Sequence, residues 1–226
     1  MVEVRIDGEV GASVRGLSLA YVALEGISGY DLRALDELVG EAVGRVRASL
    51  SLEELNRHPI VRAYRDFYWR VLKIDPTKQR PAAEALARRI LRGRPMPRIH
   101  PLVDLCNAVQ LLTMLCIGVY DLDRVSGSLV LRRAKPGEVF HPIGSPPRPL
   151  RGNELVLSDC EKLLHVFPHR YSTLTAICSE TVNALAVVCG VPGIALSYVR
   201  RSLEELMEAA ARVVRCELSP GRVVHT

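Results

Sequence analysis

The sequence has no uninterrupted apolar run near the roughly 18 residues that a membrane helix needs. It also has no CxxC pair, no glycine-rich phosphate loop and no catalytic-triad signature. Each absence removes a class of function. Without the apolar run no membrane span is expected, and the opening MVEVRIDGEV is acidic and alternating where a signal peptide is basic and then apolar. The reading is of a cytoplasmic protein. The six cysteines, at 106, 116, 160, 178, 189 and 216, fall mostly in apolar contexts without ligand spacing, so they read as buried free thiols. Neither a metal nor another cofactor is expected. Asparagine and glutamine are scarce, arginine far outnumbers lysine and proline is plentiful, a composition often found in proteins from thermophiles.

What is present is 226 residues, 48% of them hydrophobic, enough to bury a sizeable core in one domain. The formal charge of +5 is unevenly spread. Residues 1–56 carry five arginines against ten acids, a net of −5. Residues 57–98 carry twelve basic groups against Asp66, Asp75 and Glu84, a net of +9, with Tyr64, Phe67, Tyr68 and Trp69 interleaved. A basic block of that density suits phosphate neutralisation, which makes nucleic acid the natural partner. The RNA-binding candidates are Arg62, Arg65, Arg70, Lys73, Lys78, Arg80, Arg88, Arg89, Arg92 and Arg94. The plainer alternative is two amphipathic helices with aromatics in the core and arginine stems covering apolar surface.

Periodicity predicts strands over 2–6 and 16–27, a helix from Asp31 to about Arg47, and a short helical turn at the Ser51-Leu-Glu-Glu54 capping box. Further helices are expected from Pro59 to about Leu72, from Pro81 to Gly93, and from Pro101 to about Cys116. Beyond them short strands are expected at 128–134, 154–158 and 183–189, then a last helix after Ser202 and a frayed tail after Pro220. Helices first and strands afterward, with little βαβ alternation, predict an α+β fold: a helical N-terminal half packed on a mainly antiparallel or mixed β half.

Four stretches carry a resemblance: HPIVRAYRDFYWRVLKIDPTKQRP from His58, PRIHPLVDLCNAV from Pro97, YDLDRVSGSLVLRRAKPGE from Tyr120, and STLTAICSETVNAL from Ser172. In order and spacing they resemble the tRNA-editing module of the phenylalanyl-tRNA synthetase beta subunit, particularly stand-alone proteins that carry this module alone. The resemblance implies that module's α+β fold in a single domain over 1–226. Its parts would be an acidic N-terminal segment 1–56, a family-matching core 57–192, and a C-terminal helix and tail 193–226. It also implies tRNA or aminoacyl-tRNA as partner, with a synthetase as a further one, and no membrane. In the synthetase the module hydrolyses tyrosine mistakenly attached to the phenylalanine tRNA. By position, its histidine falls at Gly118 here and the glutamate that reads the tyrosine hydroxyl falls at Val187. A smaller or apolar amino acid is therefore the expected target.

An aminoacyl ester is already activated, so an editing site needs a positioned water, donors for the oxyanion and the ribose hydroxyl. Within the matched motifs, the groups able to supply these give Asn107, Tyr120, Thr175 and Glu180 as catalytic candidates. Asp121, Arg132, His141, His169, Arg170, Ser172, Ser179, Thr181 and Val187 are the substrate-binding candidates. Each has a plain reading beside it: Asp121 as a strand end and turn cap, Ser179 and Glu180 as a turn, His141 and His169 as structural. Three functions stay open: an aminoacyl-tRNA deacylase acting in trans, a non-catalytic RNA-binding module of the same fold, and a binder of a small metabolite or amino acid.

Overall fold

The computed structural model describes residues 2–226. Its strands are β1 (Val4–Ile6), β2 (Ser18–Tyr30), β3 (Cys116–Asp121), β4 (Leu129–Arg133), β5 (Val139–Phe140), β6 (Arg148–Pro149), β7 (Leu155–Ser158), β8 (Leu163–Val166), β9 (Arg170–Tyr171), β10 (Ala184–Gly190), β11 (Val214–Leu218) and β12 (Arg222–His225). The α-helices are α1 (Gly8–Ser13), α2 (Leu32–Ser49), α3 (Leu52–Arg57), α4 (Pro59–Phe67), α5 (Ala82–Leu91), α6 (Pro101–Thr113) and α7 (Leu196–Val213).

The longest strand, β2, organises the larger sheet. Its first seven residues are all buried, as a strand covered on both faces requires. One edge of β2 pairs antiparallel with β10, which in turn pairs with β3. Along the other edge β11 and β12 lie end to end, Val214 opposite Tyr30 and His225 opposite Ser18. Helices α2, α6 and α7 pack together, with α7 against β2 and β10 and α6 against β3. The second sheet runs β1-β4-β7-β8-β9 and contributes Val4, Leu129, Leu131, Leu157 and Leu164 to the same core as the first, with Phe167 from the turn after β8. A small satellite core under the β5–β6 hairpin gathers Phe140, Leu150, Val156 and Val166. The fold is α+β, as the order of elements predicts.

Several boundaries differ from expectation. Residues 8–13 form α1, started by Asp7, whose side chain accepts from the Glu9 and Val10 amides. The helix from Pro101 stops at Thr113, where Met114 takes a left-handed φ of 57°, and 116–121 becomes β3. The last helix begins at Leu196, six residues ahead of the SLEE motif. Ser202 lies inside it, donating to the Tyr198 carbonyl, because Val199, Leu203 and Leu206 form one continuous buried stripe. The tail expected to fray is β12, pinned by Thr226, whose hydroxyl accepts from the Gly16 and Leu17 amides. All six cysteines are free, and three of them, Cys106, Cys116 and Cys189, are buried; Cys160 is exposed.

Two contacts fix α4 and α5. The Tyr64 hydroxyl donates to the Cys189 carbonyl and accepts from the Cys116 amide at 2.9 Å, tying α4 to the ends of β10 and β3. Glu84 of α5, with no exposure to water, accepts from Arg65 at 2.6 and 2.8 Å and from Arg88 at 2.7 Å. Burial alone raises the Glu84 carboxyl, but the hydrogen bonds and charges of Arg65 and Arg88 outweigh it and hold the group below its ordinary 4.5. Removing one partner of a buried ion cluster leaves charge uncompensated, at a cost of about 3–5 kcal/mol. Glu84→Ala is expected to lower unfolding stability by about that much in urea titration, and Glu84→Gln by less. Because the folded carboxyl titrates low, the parent protein holds this contribution above pH 4.5 and loses it as pH falls through the lowered value. A pH series in which Glu84→Ala and parent differ equally at pH 3 and pH 7 would refute that assignment.

Candidate functional site

Gly118 on β3 stands opposite Val187 on β10, and cross-strand partners share a face. That face is filled. A Cβ built at Gly118 would lie 2.6 Å from the Tyr120 hydroxyl and 2.8 Å from Tyr171 Cε1, distances no real side chain adopts. Tyr120 is buried and its hydroxyl shares a 2.9 Å hydrogen bond with Nδ1 of His165. His165 stacks on Tyr171 with ring centroids 4.4 Å apart, and the Tyr171 hydroxyl donates to the Ile117 carbonyl at 3.1 Å. Phe67 and Tyr68 close the cluster from the helical side, Phe67 edge-on to Phe167 at 6.1 Å and Tyr68 against His169 at 5.5 Å.

Burial sets the electrostatics here. It pushes His165 down to about 3, and it does the same to His169, where the Arg170 and Arg148 charges act in the same direction. Both imidazoles are neutral near pH 7. His165 Nε2, His169 Nδ1, the Tyr68 hydroxyl and Thr175 Oγ1 are buried without a hydrogen-bond partner. Ser172, buried, caps the short 3-10 turn at 173–175 by accepting from the Leu174 amide at 3.1 Å.

The remaining sequence candidates fall into other environments. Asp121 ends β3 and caps the turn at 122–124, accepting from Thr181 Oγ1 at 2.8 Å and facing Arg124 at 3.3 Å. Thr181 also accepts from the Cys178 amide at 3.0 Å, so this network is closed on itself. Ser179 and Glu180 are exposed on the same turn and bonded to each other at 2.6 Å. Arg132 is spent on Glu138, through two bonds of 2.9 and 2.7 Å, and on Ser158. With His141 it lines a cleft of about 300 Å³. Arg170 is exposed on β9, and Asn107 is half-buried on α6. No hydrogen bond joins any two of Asn107, Tyr120, Thr175 and Glu180 among the described residues.

The basic candidates divide in the same way. Arg65 and Arg88 are held by Glu84, with Arg80 3.8 Å from it. Arg89 donates to the Pro95 carbonyl at 2.7 Å. Arg62, Arg70, Lys73, Lys78, Arg80, Arg92 and Arg94 remain exposed. Arg80, Arg88, Arg89, Arg92 and Arg94 line an open cleft of about 350 Å³ beside α5. Of the four aromatics in the basic block, Tyr64, Phe67 and Tyr68 are buried, and Trp69 is 62% exposed.

Sequence reading passed over His165 and Tyr171. The one signal present was a histidine inside the short apolar run Leu163-Leu-His-Val166, whose partner strand carries Tyr171. Nothing in the sequence pairs them with Gly118.

A family model described as "B3/4 domain" matches residues 63–221. A curated relative, the phenylalanine–tRNA ligase beta subunit of Nocardia farcinica (strain IFM 10152), is 34% identical over 149 residues, which cover 65% of this chain and 16% of that one. Among solved structures, an N-terminal fragment of the phenylalanyl-tRNA synthetase beta subunit from Pyrococcus horikoshii aligns with a TM-score of 0.50 at 15% identity, over 99% of this chain and 50% of that one. The chain thus spans a small part of the curated relative and half of the solved fragment, and the likeness to the latter is one of fold.

Two measurements test the interior. Gly118→Ala is expected to cost about 1–3 kcal/mol by overpacking against Tyr120 and Tyr171, read from denaturant midpoints. An unchanged midpoint would show that the face has room. The His165 and His169 imidazole resonances should not titrate between pH 8 and 5, while the unfolded chain binds protons below 6.5. Stability from these groups is therefore complete above pH 6.5 and declines as pH falls toward about 3. Ordinary titration of both near 6.5 would contradict the burial.

Proposed function

The chain belongs to the B3/4 domain family, and on that premise we propose that it is an RNA-binding protein associated with tRNA aminoacylation, with tRNA as its ligand. The observation that carries this reading is the set of exposed cations on α4, on the segment between α4 and α5 and just after α5, left over after Glu84 has taken its share. Residues 57–98 have only two other acids, Asp66 and Asp75, to oppose a phosphate backbone. Cations so placed gain affinity by releasing condensed counterions, and the cleft beside α5 is open enough for a backbone to enter. The similar proteins are named as tRNA ligase beta subunits, which favours tRNA over other RNA. Binding without hydrolysis is the reading the interior favours, because Tyr120 and Tyr171 occupy the face of Gly118 and Val187.

A second reading keeps the hydrolysis: release in trans of a wrongly attached amino acid from aminoacyl-tRNA. Its support is the group of buried polar atoms without partners, His165 Nε2, His169 Nδ1, Tyr68 OH and Thr175 Oγ1, which could face a water or an ester once the aromatics move. Association with a synthetase is part of the same proposal, since the domain elsewhere lies within a longer ligase chain.

With about six phosphate contacts, tRNA affinity should fall roughly 10³-fold between 50 and 200 mM salt. Substituting Arg92 or Arg94 with alanine should weaken binding to all tRNAs alike and reduce the salt slope by about one. Salt-independent binding, or none, would sink the reading. Single-turnover assays on correctly and wrongly charged tRNAs decide between the two versions. Unchanged ester lifetimes fit the binding module, and selective release from one mischarged tRNA fits the hydrolase.

A further inference from the structure

Trp69 is the one tryptophan of the chain and is 62% exposed, although Phe67 and Tyr68 just before it and Leu72 three residues on are buried. It lies in a widened turn of the backbone. After Phe67 the helix widens into a five-residue π turn over Tyr68–Leu72, in which the Lys73 amide donates to the Tyr68 carbonyl. The turn is closed by Lys73 in the left-handed region at φ 55° and by the Ile74 amide donating to Tyr68 at 2.9 Å. Tyr68 and Leu72 point inward, Tyr68 against His169, while Trp69 and Arg70 point to solvent.

Helical spacing puts Arg62, Asp66 and Trp69 on one outward stripe, with Arg70 and Lys73 following it in the π turn and at its end. All five are exposed. Asp66 is the single acid among them, and none of Arg62, Arg70 and Lys73 is in a salt bridge among the described residues. Further round, the Arg148 and Arg170 charges lie near His169, which Tyr68 covers. An exposed indole gains nothing from this core, and the cations beside it favour a partner that brings negative charge together with a flat ring. A base with its phosphates meets both demands, since its ring stacks on the indole and its charges meet the cations.

We propose that Trp69 is a stacking platform for an unpaired base, and that Arg62, Arg70 and Lys73 take the phosphates flanking it. The inference rests on the RNA reading above and narrows it: the site on the π turn takes single-stranded nucleotides, as at a tRNA loop or 3′ end, and a paired helix lacks a free base face to offer.

Because Trp69 is the only tryptophan, its fluorescence reports on this site alone. Titration of the full chain with tRNA and with short single-stranded RNA should quench it, and a fully paired RNA duplex of equal charge should not. In filter binding, Trp69→Ala should weaken tRNA affinity about tenfold with the salt slope unchanged, and Trp69→Phe should restore most of it. Trp69 is exposed and contributes nothing to the core, and circular dichroism of each variant controls for folding. Salt-sensitive tRNA binding with unchanged emission and parental affinity in Trp69→Ala would overturn the stacking site while leaving the RNA reading intact. Equal quenching by duplex would overturn the preference for unpaired bases. Absence of binding to any RNA would remove the broader reading itself.

Discussion

A carboxylate shut off from water has to be met by cations, and Glu84 meets that requirement by drawing Arg65 from one helix and Arg88 from its own. The ion cluster fixes α4 beside α5. From that fixed pair follow the inward set of Tyr64, Phe67 and Tyr68, the outward turn of Trp69, and which arginines stay free for an external anion. The strongly positive segment is therefore two populations. One part is consumed internally as structure, and the part that remains is what a polyanion can see.

Legibility from sequence followed the range of the signals. Local ones were sound: the Ser51–Glu54 capping box forms with both of its bonds, prolines at 59 and 101 open helices, and Asp121 ends its strand and caps the next turn. Local signals misled where a longer pattern overrode them, as at SLEE, whose capping motif lies within a helix already started to bury Val199. The central place of β2 was beyond reach, since its partners come from residues 184–225 and pairing over that span leaves no mark on either segment alone.

The candidate site was legible in the same uneven way. Gly118 and Val187 were marked as departures from a resemblance, and the structure sets them face to face. That His165 and Tyr171 complete the packing there could not be read, because a histidine in an apolar strand is silent about which ring it will stack on. The basic block was visible as composition. Its division between Glu84 and solvent was not, since only packing decides which arginines a buried acid can reach.

The arrangement around β2 also bears on how the chain reaches its fold as it is made. The strand emerges with the first thirty residues, yet its neighbours β10, β11 and β12 come from the last fifth of the chain. During synthesis it waits, both edges bare, through roughly 150 residues added at about 5–20 per second. Bare strand edges invite pairing with other chains. The strongly apolar Leu19–Leu24 stretch is thus open to aggregation in a nascent molecule, and assembly of the larger sheet is a late event governed by long-range closure.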